Sequence, residues 1–319
     1  VVVSAAYAAA LFLSLRPRAV KAVPFVLFAL YVADTWRIND KFMFLVPAPD
    51  RGSTESAVVR FLKVASKDSR VLPLDGSDPM QYASKGIPVM FTSNAVQQMR
   101  WQDFLGAFAL MSAMPDILNV KYLIMPKAEY EQQKGGMGQK YAPVFEDTQG
   151  GTLVLENRSV LPKAWLVPAV ALVGDARQRL AILQDPGFDP RTAALVESPP
   201  SQAMGERPFA VPQRVSVERY EPERVTVAAE AQANTLLVLG DKYYRGWKAT
   251  VDGAPAAIVP VNHVLRGVYL TPGTHRVEFI FDPLPFKIGK WLTLGSFALF
   301  GVFLVREWRC RRGTACDAG

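Results

Sequence analysis

Aromatic and cationic side chains are concentrated in one five-residue run, Tyr243-Tyr244-Arg245-Gly246-Trp247. Aromatic faces suit the C–H groups of sugar rings, and an arginine can bind a phosphate through paired hydrogen bonds. The run therefore predicts a substrate-binding platform made of Tyr243, Tyr244, Arg245 and Trp247. The alternative interpretation is structural: Trp247 would be a core residue of a β-sandwich and Gly246 a bend.

A second candidate site is the run Arg100-Trp101-Gln102-Asp103. Arg100 and Trp101 are residue types that can meet a polar ligand at a membrane surface, so we include both among the candidate substrate-binding residues. The alternative is the exposed end of a helix, where the same residues would only be solvated.

The two histidines of the chain, His263 and His275, do not suggest a metal centre. A zinc site needs three or four ligands, and no cysteine lies close to either histidine in the sequence. We therefore predict satisfied histidines on strands, no metal site and no cofactor.

Two pairs of carboxylates and one glycine-rich segment also have simple interpretations. Glu221/Glu223 and Asp185/Asp189 resemble the acid–base pairs of glycosyl chemistry, but both pairs flank prolines, which favours solvated turns. Residues 134–140 contain three glycines and predict a flexible loop. They lack the Lys-Ser/Thr ending of a phosphate-binding loop.

The run from Tyr243 to Trp247 lies within a segment whose pattern predicts β-strands. Residues 235–281 alternate apolar and polar side chains, and Asp252-Gly253 and Pro272-Gly273 are typical of tight hairpin turns. Val277, Phe279 and Phe281 share one face of the last strand. Short strands at this spacing predict an antiparallel β-sandwich over residues 214–285.

Apolar segments at both ends predict membrane anchors. Residues 286–305 are long enough to cross the hydrocarbon as a helix, and residues 1–36 contain two further apolar stretches, of which the first is too short for a complete span. We therefore predict about three spans, the first truncated, with the lipid bilayer as a partner. The short first stretch and the missing initiator methionine suggest a C-terminal fragment of a longer protein.

The net charge of +7 does not indicate nucleic-acid binding, because the surplus of basic residues flanks the apolar segments. These residues are Arg16, Arg18, Lys21, Arg306, Arg309, Arg311 and Arg312. Cytoplasmic flanks of spans carry such an excess, so residues 306–319 are expected in the cytoplasm and residues 37–285 outside. Both cysteines lie in that tail, which leaves the outer region without disulfides.

The outer region mixes helical and strand patterns. Helices are predicted over residues 53–64, 104–114 and 175–183, the second buried or lying on the membrane and the third capped by Asp175. Strands are predicted over residues 70–74, 120–125, 141–146, 152–156 and 164–167. The fold class is thus membrane α-helical anchors, an extracytoplasmic α/β or α+β domain over residues 37–197, a proline-rich linker over 198–213, and the C-terminal antiparallel β-sandwich.

Several short motifs occur in the order and spacing found in a bacterial membrane protein family called YfhO. They are Leu118-Asn119-Val120-Lys121-Tyr122-Leu123-Ile124, Val154-Leu155-Glu156-Asn157, Leu161-Pro162-Lys163-Ala164, Gly246-Trp247-Lys248-Ala249, Val251-Asp252-Gly253 and Pro272-Gly273-Thr274-His275. The third motif departs from the family, which usually has arginine where this chain has Lys163. The chain resembles the family over residues 40–319.

The resemblance implies a polytopic, glycosyltransferase-like protein of the bacterial plasma (inner) membrane. Such proteins are thought to take a sugar from a polyprenyl-phosphate donor outside the membrane and to modify cell-envelope glycopolymers, and Arg100 and Trp101 would then lie near the lipid-linked donor. Their catalytic carboxylate lies in an early outer loop that precedes this chain, so the catalytic residues are unknown here. This portion would position the acceptor or cover the site. The alternative is a non-enzymatic, membrane-anchored carbohydrate-binding or scaffold module.

Overall fold

The computed structural model describes residues 23–42, 55–91, 97–204 and 214–313 of the chain. It forms two compact units, Val1–Glu55 and Ser56–Gly319. The first unit contributes helix α1 (Val23–Phe42), whose apolar stretch Phe25–Trp36 is shorter than a span. The span predicted to end at residue 15 lies outside the described residues.

The described part of the second unit contains seven helices and fifteen strands. The helices are α2 (Ala57–Ala65), α3 (Pro79–Ala83), α4 (Met99–Gly106), α5 (Met114–Ile117), α6 (Lys127–Met137), α7 (Ala176–Gln184) and α8 (Leu284–Gly313). The strands up to the proline-rich segment are β1 (Arg70–Pro73), β2 (Val120–Pro126), β3 (Tyr141–Asp147), β4 (Thr152–Asn157), β5 (Ala164–Val167), β6 (Ala169–Leu172) and β7 (Ala193–Val196). The strands after it are β8 (Arg214–Tyr220), β9 (Arg224–Ala231), β10 (Thr235–Lys242), β11 (Trp247–Val251), β12 (Ala254–Ala256), β13 (Val259–Val261), β14 (Leu265–Leu270) and β15 (Gly273–Phe281).

The first sheet has the strand order β1-β2-β4-β3, with only the β1–β2 pair parallel. Strand β2 is central because its residues are almost all apolar and buried on both faces. Helix α2 packs its buried Val58, Val59 and Leu62 against this sheet. The helix begins where Ser56 Oγ accepts a hydrogen bond from the Val59 amide at 3.3 Å.

The second sheet joins strands from both sides of residues 198–213. Its order is β5-β10-β14-β13-β7-β6, so β5, β6 and β7 share a sheet with β10, β13 and β14. The predicted domains 37–197 and 214–285 therefore contribute to one sheet. Strands β6 and β7 are its parallel pair, connected by α7, which Asp175 caps as predicted.

The third sheet, β12-β11-β15-β9-β8, is antiparallel throughout and packs on the second. Their shared core contains Leu237 and Val268 from the second sheet and Val227, Val277 and Phe279 from the third. Burying Phe279 alone stabilises this sandwich by roughly 2–3 kcal/mol. The predicted antiparallel arrangement of the strands after residue 213 is thus confirmed. One of the two layers of the sandwich is larger than predicted, because β5, β6 and β7 from before the linker also belong to it.

Two local predictions are wrong. The helix predicted over residues 104–114 ends at Gly106, and the chain continues through turns to α5. Ser112 Oγ donates to the Ala109 carbonyl at 2.8 Å and accepts from the Met114 amide at 3.2 Å, and such local hydrogen bonds compete with a helix. Residues 134–137 of the expected flexible loop belong to α6, because burial of Met137 on the same face as Tyr130 extends the helix through its glycines.

Helix α8 follows the last strand of the sandwich. Its segment Leu284–Arg306 is long and apolar enough to cross a membrane, and none of its most apolar stretch is buried. Among the described residues it alone meets this condition, so three spans are not observed. Phe286, Trp291, Phe297 and Leu299 are each about 70% exposed, as expected of side chains that face lipid.

Candidate functional site

A cavity of about 560 Å³ lies at one end of the sandwich, where strand ends of all three sheets meet. We call it the basic cavity. Arg70 at the start of β1, Tyr220 at the end of β8 and Arg266 in β14 line it, together with Trp101, Asp241, Lys242, Tyr244, Trp247 and Phe281. Its wall therefore combines cationic and aromatic side chains.

Asp241 is the centre of the hydrogen-bond network in the basic cavity. Its Oδ1 accepts from Arg70 Nη2 at 2.5 Å and from the Tyr220 hydroxyl at 2.7 Å, and its Oδ2 accepts from Arg266 Nη2 at 3.1 Å. Both oxygens of the carboxylate are thus engaged. Arg266 is 2% exposed, and its Nε atom has no hydrogen-bond partner in the described structure.

An irregularity in β10 places Asp241 in this position. The register between β10 and β14 shifts between Leu239 and Lys242, and such bulges redirect side chains, often next to functional sites. Gly240 allows the close approach, because a Cβ there would lie 3.1 Å from the Ile117 carbonyl oxygen and 3.3 Å from the Lys163 carbonyl oxygen. A larger residue at position 240 would push the bulge out of place.

Aromatic rings cover two of the cations. The Arg266 guanidinium carbon lies 3.7 Å from the centroid of the Trp247 ring, and Lys242 Nζ lies 3.6 Å from the centroid of the Trp101 ring. Both distances are within the range of favourable cation–π contacts. Phe281 packs beside Trp247 with ring centroids 5.3 Å apart.

The charges of the basic cavity do not balance. Asp241 is the partner of Arg70 and Arg266, while Lys242 adds a third cation. Glu221, the second carboxylate of the lining, is paired with Arg219 at 2.7 Å. Burial and repulsion from Arg70 lower the pKa of Lys242 to about 8, although the side chain as a whole remains exposed to solvent. Burial, reinforced by the charge of Asp241, raises the pKa of Tyr220 to about 12. At neutral pH the cavity therefore carries surplus positive charge and suits an anion.

The structure distributes the six candidate residues of the sequence analysis over different surroundings. Tyr244, Trp247 and Trp101 line the basic cavity. Arg245 is exposed, and Tyr243 lies 6.0 Å from the Arg100 guanidinium carbon. Their role in binding a substrate stays a prediction.

Arg100 belongs to a different cluster, which we call the arginine clamp. Both its Nη atoms donate to the Glu197 carboxylate, one of them at 2.6 Å, and Nη1 also donates to the His263 carbonyl at 3.0 Å. The buried Arg179 reaches the same Glu197 at 3.1 Å. Burial would raise the pKa of Glu197, but the hydrogen bonds and charges of these arginines outweigh it and lower the pKa.

The residues that organise the basic cavity were missed in the sequence analysis. Arg70, Tyr220, Asp241 and Arg266 stand apart in the chain and form no local motif. The available signal was weak: Asp241 and Lys242 interrupt a continuous apolar strand, and Arg266 occupies a position where the strand pattern expects a buried side chain.

The two histidines differ. His263 is 2% exposed in the turn between β13 and β14, and its Nε2 has no hydrogen-bond partner in the described structure, so the prediction of a satisfied strand histidine is wrong for it. His275 lies on β15, with Nδ1 2.7 Å from Asp252 Oδ2. Glu221 pairs with Arg219 at 2.7 Å, and Asp185 accepts from the Gly187 amide. Within the described ranges, no group of three or more metal-ligating side chains occurs.

One comparison with known families gives a match. Residues 210–293, which include strands β8 to β15, match a family described as bacterial membrane protein YfhO. This segment, about a quarter of the chain, is similar to that family. The YfhO segment supplies Tyr220, Asp241 and Arg266 to the basic cavity, whereas Arg70 and Trp101 come from the preceding part of the chain. No curated protein and no solved structure matches the chain.

The matched segment contains three of the six sequence motifs on which the resemblance was based. The motifs at Gly246-Trp247-Lys248-Ala249, Val251-Asp252-Gly253 and Pro272-Gly273-Thr274-His275 lie inside the matched segment, so the resemblance is confirmed there. The motifs that begin at Leu118, Val154 and Leu161 lie before it and stay predictions.

Proposed function

We propose that this chain is the C-terminal portion of a polytopic, glycosyltransferase-like protein of the bacterial plasma membrane, with its bulk outside the cytoplasm. In this proposal the basic cavity binds the head of an anionic saccharide, either a polyprenyl-phosphate-linked sugar or a cell-envelope glycopolymer. The YfhO match and the apolar helix α8 support the membrane setting. The catalytic residues are expected outside this chain.

One observation carries the proposal: surplus cations and aromatic faces line the same cavity. Arg70, whose side chain is 19% exposed, and Lys242 can donate to phosphate oxygens, and the buried Arg266 adds positive charge behind them. Trp247 and Tyr244 offer flat faces to a sugar ring. Phe281, which also lines the cavity, lies three positions before Leu284, the first residue of the membrane-spanning segment. A lipid-linked head group would therefore have a short path to the cavity.

A non-enzymatic, membrane-anchored carbohydrate-binding or scaffold module is the second candidate. It is favoured by the state of Asp241, whose two oxygens already accept hydrogen bonds from three donors. A carboxylate held in this way serves as a charge partner more readily than as a general base.

Binding is tested with the purified full chain in detergent and three probes: glucose, sulfate and glucose 1-phosphate, measured by isothermal titration calorimetry. Glucose 1-phosphate should bind most tightly, because it alone engages both the cations and the aromatic faces. Arg70→Gln should weaken sulfate and glucose 1-phosphate about tenfold, the effect of losing one charge-assisted contact. Trp247→Phe should weaken glucose 1-phosphate while leaving sulfate unchanged.

Arg276→Gln is the matched control, since it removes an exposed arginine that is paired with Glu218 and does not line the cavity. Equal affinities for wild type and Arg70→Gln would refute the cavity as the binding site. To separate the two candidates, sugar transfer from polyprenyl-phosphate-glucose to envelope polymer is measured with the longest natural form of the protein. Transfer reduced by Arg70→Gln supports the enzyme, whereas binding without any transfer supports the scaffold.

A further inference from the structure

The loop between β10 and β11 is fastened to the start of the membrane helix. The Asp282 amide donates to the Gly246 carbonyl at 2.7 Å, and the Tyr244 and Phe281 rings lie 6.1 Å apart. Gly246 has φ +104, and a Cβ there would meet Phe281 at 3.0 Å and Pro283 at 3.1 Å. Glycine therefore lets the loop lie directly against the residues that precede Leu284.

This contact places the loop at the level where the chain enters the bilayer. The spanning segment begins at Leu284, and Leu284 is already 66% exposed. In a bilayer that this segment crosses, residues held beside positions 281–283 would lie in the lipid headgroup region, where aromatic residues with a polar tip are favoured. Tyr244 fits this position, being 50% exposed.

The same surface carries an excess of positive charge. Lys248 and Lys287 both bind Asp282, each at 2.7 Å, and Arg245 on the loop is exposed. Lys290 follows one turn into α8. The loop, the start of β11 and the first turns of α8 thus carry four cations, of which two bind Asp282. The adjacent turn contributes no net charge, because its acidic Glu221 and Glu223 are matched by Arg219 and Arg224.

We propose that a headgroup collar, formed by Tyr244, Arg245, Lys248 and Lys287, binds the anionic phospholipid headgroups of the bilayer that α8 crosses. Phosphate groups at the membrane surface would neutralise the positive charge that Asp282 does not balance. Because Tyr244 also lines the basic cavity, docking of the collar holds the mouth of that cavity toward the headgroup layer. This proposal does not depend on what the cavity binds.

The test uses the full chain in nanodiscs of phosphatidylcholine, with or without phosphatidylglycerol. Hydrogen–deuterium exchange is followed at the amides of residues 243–248. Phosphatidylglycerol should slow exchange there in the wild type, and added salt should weaken the slowing. Arg245→Gln and Lys248→Gln should each reduce the lipid-dependent protection about fivefold, as expected for one cation near an anionic surface.

Arg276→Gln is the matched control, because it removes one exposed arginine from β15 five residues before Phe281, away from the root of α8. Exchange of the buried amides of β14 verifies that each variant is folded. Identical exchange in the two lipid compositions, or an equal loss in Arg276→Gln, would overturn the proposal. The calorimetric probes of the basic cavity are soluble, so either proposal can fail while the other stands.

Discussion

The arginine clamp and the core of the basic cavity have the same ionic composition but different surroundings. In each, two arginines share one carboxylate: Arg100 and Arg179 share Glu197, whereas Arg70 and Arg266 share Asp241. The clamp joins α4, α7, the end of β7 and the β13–β14 hairpin. The second pair borders a cavity that solvent can enter.

The surplus charge is handled differently in the two regions. In the clamp, Arg179 Nη1 donates to the carbonyls of Val173 and Gly174. His263 adds no charge at neutral pH, because burial and the neighbouring Arg179 and Arg100 lower its pKa. In the basic cavity Lys242 adds a third cation and Glu221 a second carboxylate. Both regions thus keep one positive charge in excess, and each leaves a buried arginine Nε without a partner in the described structure. They differ in space: the cavity has an open volume of about 560 Å³ in which a ligand can neutralise the charge.

The largest expected effect is the loss of stability in Glu197→Gln. It leaves the buried Arg179 without a counter-charge and should lower the free energy of unfolding by about 2–3 kcal/mol, somewhat below the cost of breaking a fully buried pair, because Glu197 is partly exposed. Denaturant unfolding followed by tryptophan fluorescence measures it. Glu131→Gln, which removes an exposed i,i+3 pair with Lys134, is the control and should leave the free energy of unfolding essentially unchanged. Equal losses in both variants would contradict the role of the clamp.

Asp241→Asn should lower the stability less than Glu197→Gln does, and it should increase the affinity of the basic cavity for sulfate. Removing the carboxylate should cost about 1–2 kcal/mol of stability, because Arg266 remains buried without its charge partner. Sulfate should then bind about fivefold more tightly and restore part of the stability, since it replaces the missing charge. Thermal unfolding across a sulfate titration measures both effects. Weaker sulfate binding in Asp241→Asn would show that the positive charge of the cavity does not favour binding of an anion.

The pH dependence of sulfate binding tests the third cation of the basic cavity. Lys242 loses its proton as the pH rises through about 8, so sulfate affinity should fall across this range while the charge of sulfate stays constant. Lys242→Gln should abolish the dependence. Calorimetry between neutral and alkaline pH measures it, and an unchanged profile in Lys242→Gln would assign the effect elsewhere.

The protonation of Lys242 also makes the stability of the fold depend on pH. The pKa of Lys242 falls from 10.5 to about 8 on folding, so between these values the unfolded chain binds more protons than the native one. Stability should therefore rise with pH across this window and fall as the pH is lowered through it. In Lys242→Gln this contribution should be lost.

Tyr220→Phe should have the smallest effect. It removes the hydroxyl that donates to Asp241 at 2.7 Å and accepts from Arg70 Nη2 at 3.2 Å, but keeps the ring over which Lys163 Nζ lies, 4.4 Å from the centroid. We expect a loss of about 1 kcal/mol in the free energy of unfolding, the typical net value of one hydrogen bond, because the longer contact from Arg70 adds little. Denaturant unfolding measures it. A loss as large as that of Glu197→Gln would mean that Tyr220 supports more than these two contacts.

Much of the local structure could be predicted from the sequence. The Asp252-Gly253 turn forms with both residues at positive φ, and the alternation in residues 273–281 gives β15 with Val277 and Phe279 buried. The continuous apolar run after Pro285 gives the membrane-length helix α8. The prediction failed over residues 107–113 and 134–137, where packing and local hydrogen bonds outweighed the pattern.

The sequence by itself determined the strands, their turns and the apolar anchor, because these depend on side-chain periodicity and on backbone preferences of neighbouring residues. Only the tertiary structure decided the basic cavity. Arg70 and Asp241 are 171 residues apart and Arg266 and Asp241 are 25 apart. Pairing of β10 with β14 brings Arg266 to Asp241, whereas Arg70 comes from the first sheet, where it also donates to the Gly240 carbonyl at 2.7 Å. The physical reason is that contacts between distant strands are selected by burial of whole sheet faces, which leaves no signature in any short stretch of the chain.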